Sequence, residues 1–217
     1  MHSITTNIPS FEERQLPEFN AMQKVKRRFF AMRNGDLAQQ MTERGANYRI
    51  NFGLNLPQIN EIAKDFLPGG KEWDNLNQNF DLADFARRLR DNSTTRESML
   101  IAPMLFPIDQ LSEKEGLEWA LSVPTPEIAD ILCMKLLRNH PEADKLAGEL
   151  LSYNDSSDVS LPKYVGLRLL LNLIQIGKIT TDKAKRYISN EEALSSPLTA
   201  RLLSQLKEEI SFLEEGI

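Results

Sequence analysis

The feature that most constrains this chain is a repeating unit: an amphipathic helix, a short polar break and a second helix, with almost no strand signal. One pair runs from Asp81 to Leu89, breaks at Asn92-Ser93-Thr94 and resumes over Arg96 to Ala102. The next joins Glu115–Leu121 to Ile128–Leu132. Ala143–Leu151 then pairs with Leu161–Ile176, and Asp182–Ile188 with Leu198–Leu213. A lone amphipathic helix cannot bury its apolar stripe, so pairs recurring about every 30–45 residues stack on their neighbours as an α-solenoid. The expected fold class is therefore all-α, an α-α superhelix of helical pairs. Such folds work by presenting a long curved surface, which makes a binding scaffold the default function.

Local punctuation places the elements. Residues 1–19 read as an extended leader with Pro9 and Pro17 as breakers and Phe11, Leu16 and Phe19 as anchors, followed by a single domain over 20–217. Met22 to Met32 predicts a helix closed by Asn34-Gly35, with Asp36 opening a short one through Met41. Gly45 to Leu54 reads as an ordered loop, and Asn55 ahead of Leu56-Pro57 as a helix start. Ser112 with Glu115 forms a capping-box pattern, and Thr125 precedes a proline in the N-cap position. Leu198, Leu202, Leu206, Ile210 and Leu213 predict the inward face of a final capping helix.

Composition removes several function classes. No apolar run approaches the roughly 18–20 residues of a membrane span, and Arg168 and Asn172 interrupt the richest stretch, Val165 to Ile176. That stretch reads as a central helix packed on more than one side. The first residues lack the basic and apolar regions of a signal peptide. The single cysteine, Cys133, excludes an internal disulfide framework and fits a reducing cytoplasm. There is no phosphate loop, dinucleotide fingerprint or metal-ligand spacing, so neither a cofactor nor a metal is expected.

Net charge is −5, but it is unevenly spread: residues 1–100 carry 14 Lys+Arg against 13 Asp+Glu, and residues 101–217 carry 12 against 18. Lys24, Lys26, Arg27, Arg28 and Arg33 concentrate positive charge near one helix. Phosphate binding follows the local field and not the total, so this helix is a candidate DNA contact; its plainer reading is a solvated face. Arg87, Arg88 and Arg90 take the same two readings.

Three places resemble the AlkD-like family of DNA alkylation repair proteins. The segment Tyr48 to Ile59 carries a glycine and a proline leading into a helix that holds Ile62-Ala63. Leu82-Ala83, then Arg96-Glu97 and Ile101-Ala102, is similar to the family's helix pair with a Glu opening its second member. Thr125–Leu137 and Leu161–Ile176 take the positions of its two site-bearing helices. The resemblance implies a HEAT-like solenoid that binds alkylated duplex DNA and excises alkylated purines. Family chemistry uses a Trp-x-x-x-Asp pair on one helix and an Arg on a later one, the carboxylate stabilising positive charge as the glycosidic bond breaks. Here Asp130 matches the carboxylate, Pro126 stands at the Trp position, and Tyr164, beside Lys163, stands at the Arg position.

The resemblance thus makes Asp130 the candidate catalytic residue, with Lys24, Lys26, Arg27, Arg28, Lys163 and Tyr164 the candidate DNA contacts. Plainer readings stand beside these. Asp130 is equally a solvated residue or an ion-pair partner of Lys163, Tyr164 a packing residue with a satisfied hydroxyl, and Cys133 an inert buried thiol. Trp73 and Trp119 read as packing residues. The alternative function is a non-catalytic scaffold for a protein or nucleic-acid partner.

Overall fold

The computed structural model of the protein describes residues 17–76, 79–154 and 160–216, and its regular elements are helices. Among the described residues the one strand-like pairing is a parallel bridge between Ile50 and Thr95. No helix among them is long and apolar enough to cross a membrane. The chain divides into two compact units, Met1–Pro107 and Ile108–Ile217.

The first unit holds α1 (Pro17–Ala31), α2 (Gly35–Glu43), α3 (Leu56–Asp65), α4 (Leu82–Asp91) and α5 (Arg96–Leu105). Most of the leader expected over residues 1–19, Phe11 and Leu16 included, lies outside the described residues, whereas Phe19 belongs to α1. Pro17 does not break structure. It is the first residue of α1, where a missing N–H costs nothing. A second correction concerns Asn34-Gly35, expected to close the first helix. Asn34 is extended instead, and its Oδ1 accepts from the Leu37 N–H at 3.0 Å, so it starts α2 in place of Asp36. Asn55 behaves as expected: it and Gln58 form a reciprocal capping box at the start of α3. The Asp81 side chain accepts from the Ala83 and Asp84 N–H groups and starts α4.

The loop before α3 is held by a carboxylate with no solvent exposure. Glu97, in the first turn of α5, accepts from the Phe52 N–H with both oxygens, at 3.1 and 3.2 Å, and from the Leu54 N–H at 3.3 Å. The guanidinium of Arg96 lies 3.1 Å from the same carboxylate and donates to the Leu54 carbonyl at 3.0 Å. Backbone bonds extend the latch, the Arg96 N–H to the Ile50 carbonyl and the Ile50 N–H to the Thr94 carbonyl. Gly53 allows this path: its φ is +69°, and a Cβ there would sit 2.1 Å from the Asn34 carbonyl oxygen. The apolar core beneath contains Phe29, Leu54, Ile59, Ile62, Phe66, Phe85 and Leu89.

The second unit contains α6 (Glu113–Ser122), α7 (Pro126–Lys135), α8 (Ala143–Leu151), α9 (Ser160–Gln175), α10 (Thr181–Tyr187), α11 (Glu191–Leu194) and α12 (Ala200–Glu214). Ser112 and Thr125 cap α6 and α7 as their sequence positions predict. As the apolar run predicts, α9 is the central helix. It packs against α7, α8 and α12 and buries every residue from Tyr164 to Ile174 except Arg168. Gly166 permits the tight approach of α8, since a Cβ would meet the Ala147 carbonyl at 3.0 Å. Trp119 is core. The final helix departs from expectation at both ends: Leu202, Leu206 and Ile210 are buried, but Leu198 precedes α12 and both Leu198 and Leu213 are exposed.

Removing one partner of a buried ionic pair strands the other, so Glu97→Ala is expected to destabilise the protein by about 3–5 kcal/mol. Lys24→Ala, which breaks a pair open to solvent with Glu72, should cost no more than about 1 kcal/mol. Urea unfolding measures both; equal effects would remove the latch from its central place.

Candidate functional site

The pitch of α9 decides what reaches Asp130. Residues 164 and 168 lie four apart and share a face, whereas residue 163 is rotated away by about 100°. Asp130 on α7 therefore meets Tyr164 and Arg168 and not Lys163. The Tyr164 hydroxyl donates to Asp130 Oδ1 at 2.9 Å. The Arg168 Nε lies 2.7 Å from the same oxygen without good alignment for a hydrogen bond, and its Nη2 donates to the Tyr164 hydroxyl at 3.2 Å. Lys163 instead donates to the Ala193 carbonyl at 2.9 Å, which corrects its reading as the ion-pair partner of Asp130.

This triangle is half-buried and electrostatically closed. Burial works against the charge of Arg168, but the Tyr164 hydroxyl and the Asp130 carboxylate outweigh it and hold the guanidinium pKa above its ordinary value. Burial raises the Tyr164 phenol as well; the hydrogen bond from Arg168 opposes that rise and the negative charge of Asp130 adds to it. Oδ1 of Asp130 is thus committed twice, while the side chain keeps 40% of its exposure. Beneath the cluster, the Cys133 thiol is fully buried, donates weakly to the Val165 carbonyl at 3.6 Å, and is pushed far above the thiol range by burial first and Asp130 second. It is inert, as its sequence setting implies.

Sequence reasoning missed two members of this stripe, Arg168 and Asn172. Their signal was their spacing from Tyr164, four and eight residues along an otherwise apolar helix. Asn172 is buried, and its Nδ2 has no hydrogen-bond partner among the described residues. Arg168 also lines an open cavity of about 550 Å³ with Gln175, Gln205, Glu208, Glu209 and Phe212. Pro126, at the position of the family's Trp, is the first residue of α7 and supplies no aromatic surface.

The remaining candidates belong to α1, in the first unit. Lys24 pairs with Glu72 at 2.8 Å, and Arg28 pairs with the buried Asp65 at 2.6 Å. Both cations therefore hold the end of α3 and the turn after it. Lys26 and Arg27 line a cavity of their own unit. Arg88 and Arg90 are tied to Asp84 and Asp91, and Arg87 lies over the Phe106 ring at 5.1 Å. Among the described residues no group of His, Cys, Asp and Glu could hold a metal ion.

No family model, no curated protein and no solved structure matches the chain. The chemistry open to it follows from this geometry: a half-buried carboxylate oriented by a phenol and by a guanidinium that lines an open cavity.

Burial raises the phenols of both Tyr164 and Tyr187. In an alkaline difference spectrum Tyr164 and Tyr187 should titrate above the ordinary value near 10, and Tyr164→Phe should remove one such high-pH transition. A raised folded-state pKa stabilises fully below the unfolded value, and that contribution is lost as pH rises through the folded pKa. The stability difference between wild type and Tyr164→Phe should accordingly shrink above about pH 10. A difference independent of pH would show that the Tyr164 phenol is not raised in the folded protein.

Proposed function

We propose that this protein is a diverged relative of the AlkD-like DNA alkylation repair proteins, a HEAT-like helical-pair solenoid that binds alkylated duplex DNA and retains slow purine excision. One observation carries the reading. An arginine on the later helix, Arg168, stands against the carboxylate at the family position, Asp130, one turn beyond the residue at which the resemblance places it.

In the reaction, the bond between C1′ and N9 of an alkylated purine breaks and its electron pair moves onto the ring, neutralising the cationic base as it leaves. Positive charge then develops at C1′ and the ring oxygen. Asp130, oriented through Oδ1, stabilises that charge, and water adds to C1′ with loss of a proton. Tyr164 acts as a positioning residue. A DNA phosphate drawing on Arg168 would loosen its hold on Asp130 and leave more of the carboxylate charge for the sugar. A base that already carries a positive charge is its own good leaving group, so this minimal equipment suffices for 7-alkylguanine and not for unmodified purines.

A second reading, a non-catalytic scaffold for a protein or nucleic acid, is favoured by the charge balance of the cluster. Asp130 has its counter-ion at 2.7 Å, and Pro126 contributes no aromatic platform.

Release of 7-methylguanine from methylated duplex, measured against spontaneous loss, separates the two. The repair reading expects slow release above background, no release of unmodified guanine, and a fall toward background in Asp130→Asn. Equal release by wild type and Asp130→Asn assigns no catalytic role to Asp130, and background release by both leaves the scaffold.

A further inference from the structure

The first unit contains an open cavity of about 870 Å³, within the range of known ligand sites. Helix α1 contributes Lys26, Arg27 and Phe30 to it; the latched loop and the turn between α4 and α5 contribute Ile50, Asn92 and Thr94. Among the described residues that line it there is no carboxylate, in a chain with 31 acidic and 26 basic residues. Lys26 and Arg27 make no ion pair among the described residues, unlike their neighbours Lys24 and Arg28. The field in the cavity is therefore positive.

The same cavity collects unusual apolar surface. Six large apolar side chains are exposed among the described residues, and two of them, Phe30 at 58% and Ile50 at 42%, line this site. The Arg33 guanidinium lies 3.8 Å from the centre of the Phe30 ring, so a cation covers one side of a ring that is still mostly open. The opposite wall is fixed. Ile50 is bonded through its N–H to Thr94 and through its carbonyl to Arg96, and the neighbouring Phe52 N–H is held by Glu97. The Thr94 hydroxyl donates to Asn92 Oδ1 at 3.2 Å, and Asn92 Nδ2 donates to Ser98 at 3.0 Å. That leaves the Thr94 oxygen as an acceptor and one Asn92 N–H as a donor.

We propose that this cavity binds an unpaired nucleotide of a single-stranded nucleic acid, with its base against Phe30 and Ile50, its edge toward Thr94 and Asn92, and its flanking phosphates on Lys26 and Arg27. A stacking surface, edge donors and acceptors, and anion-binding cations are the three elements that a single strand needs. A duplex keeps its base faces inside the stack and would leave Phe30 and Ile50 unused. A phosphorylated peptide would engage the cations without a planar group for the ring. The site lies wholly in the first unit and shares no residue with the Asp130 cluster.

Fluorescence anisotropy with a labelled oligothymidine of roughly fifteen nucleotides, long enough to cover a single-strand site, tests the proposal beside a duplex of the same length. The single strand should bind more tightly than the duplex. Phe30→Ala should weaken single-strand binding roughly ten-fold. Replacing Lys26 and Arg27 by Ala should flatten the log–log salt dependence by about 0.7 for each lost phosphate contact. Asp130→Asn should leave binding unchanged, which keeps failure of this site distinct from failure of the excision chemistry. Phe30 is exposed, so its variants should keep wild-type helical circular dichroism; Phe30→Leu supplies the comparison if the alanine variant aggregates, retaining apolar bulk without a stacking face. Duplex binding equal to or tighter than single-strand binding, and weakened as much by Phe30→Ala, overturns the proposal, as does indifference of single-strand binding to Phe30 or absence of single-strand binding. Capture of phosphatidylserine-containing vesicles through Phe30, with no oligonucleotide bound, overturns it in favour of a membrane surface.

Discussion

A carboxylate sealed from water organises the first unit. Glu97 has no exposed surface, and stripping it of solvent is tolerable only because two backbone N–H groups and the Arg96 guanidinium converge on it. Those bonds bring residues 50–54 to the start of α5, and Gly53 supplies the positive φ that the path requires. The chain from Phe52 to Leu54 then places Asn55 to cap α3. Lengthening the loop or removing the carboxylate would strand the buried Leu54 N–H and take the partner from the half-buried Phe52 N–H. The cost of an unsatisfied buried group makes this short segment as well defined as the helices around it.

The second unit is organised on the opposite plan, by an apolar helix with a narrow polar seam. Helix α9 packs on three neighbours, so a polar residue on it must find a partner from another element. Tyr164 and Arg168 find Asp130 on α7; Asn172, one turn further, leaves its Nδ2 unpaired among the described residues. The candidate chemistry therefore sits on two packed helices and not on a loop. Its geometry is inherited from the spacing of two helices, which Gly166 sets on the α8 side by allowing close contact.

Much of this was legible in the sequence wherever one residue type has one local role. Asn55, Ser112 and Thr125 announce helix starts because a short acceptor side chain satisfies N–H groups only a few residues away. Asn34 was misread because it fits either helix terminus, and the bond from its N–H to the Phe52 carbonyl, eighteen residues on, was invisible. Asp130 and Tyr164 were legible singly, each at its position on a helix. Their meeting was not, and Arg168 was passed over, because periodicity shows which residues share a face of one helix and not which face of another helix it meets. Lys163 was paired with Asp130 on charge alone, and the rotation of one residue along α9 removes it.

The same geometry limits what charge counting can say about α1. Lys24 and Arg28 are four residues apart and fall on one face, where Glu72 and the buried Asp65 neutralise them. Lys26, Arg27 and Phe30 fall on another stripe and line the cavity. A run of four cations in the sequence thus divides into two that hold the fold together and two whose charge meets solvent. The stretch that looks like one basic patch therefore offers only part of its charge to a ligand, Lys26 and Arg27 beside an exposed aromatic ring that carries Arg33 on one side.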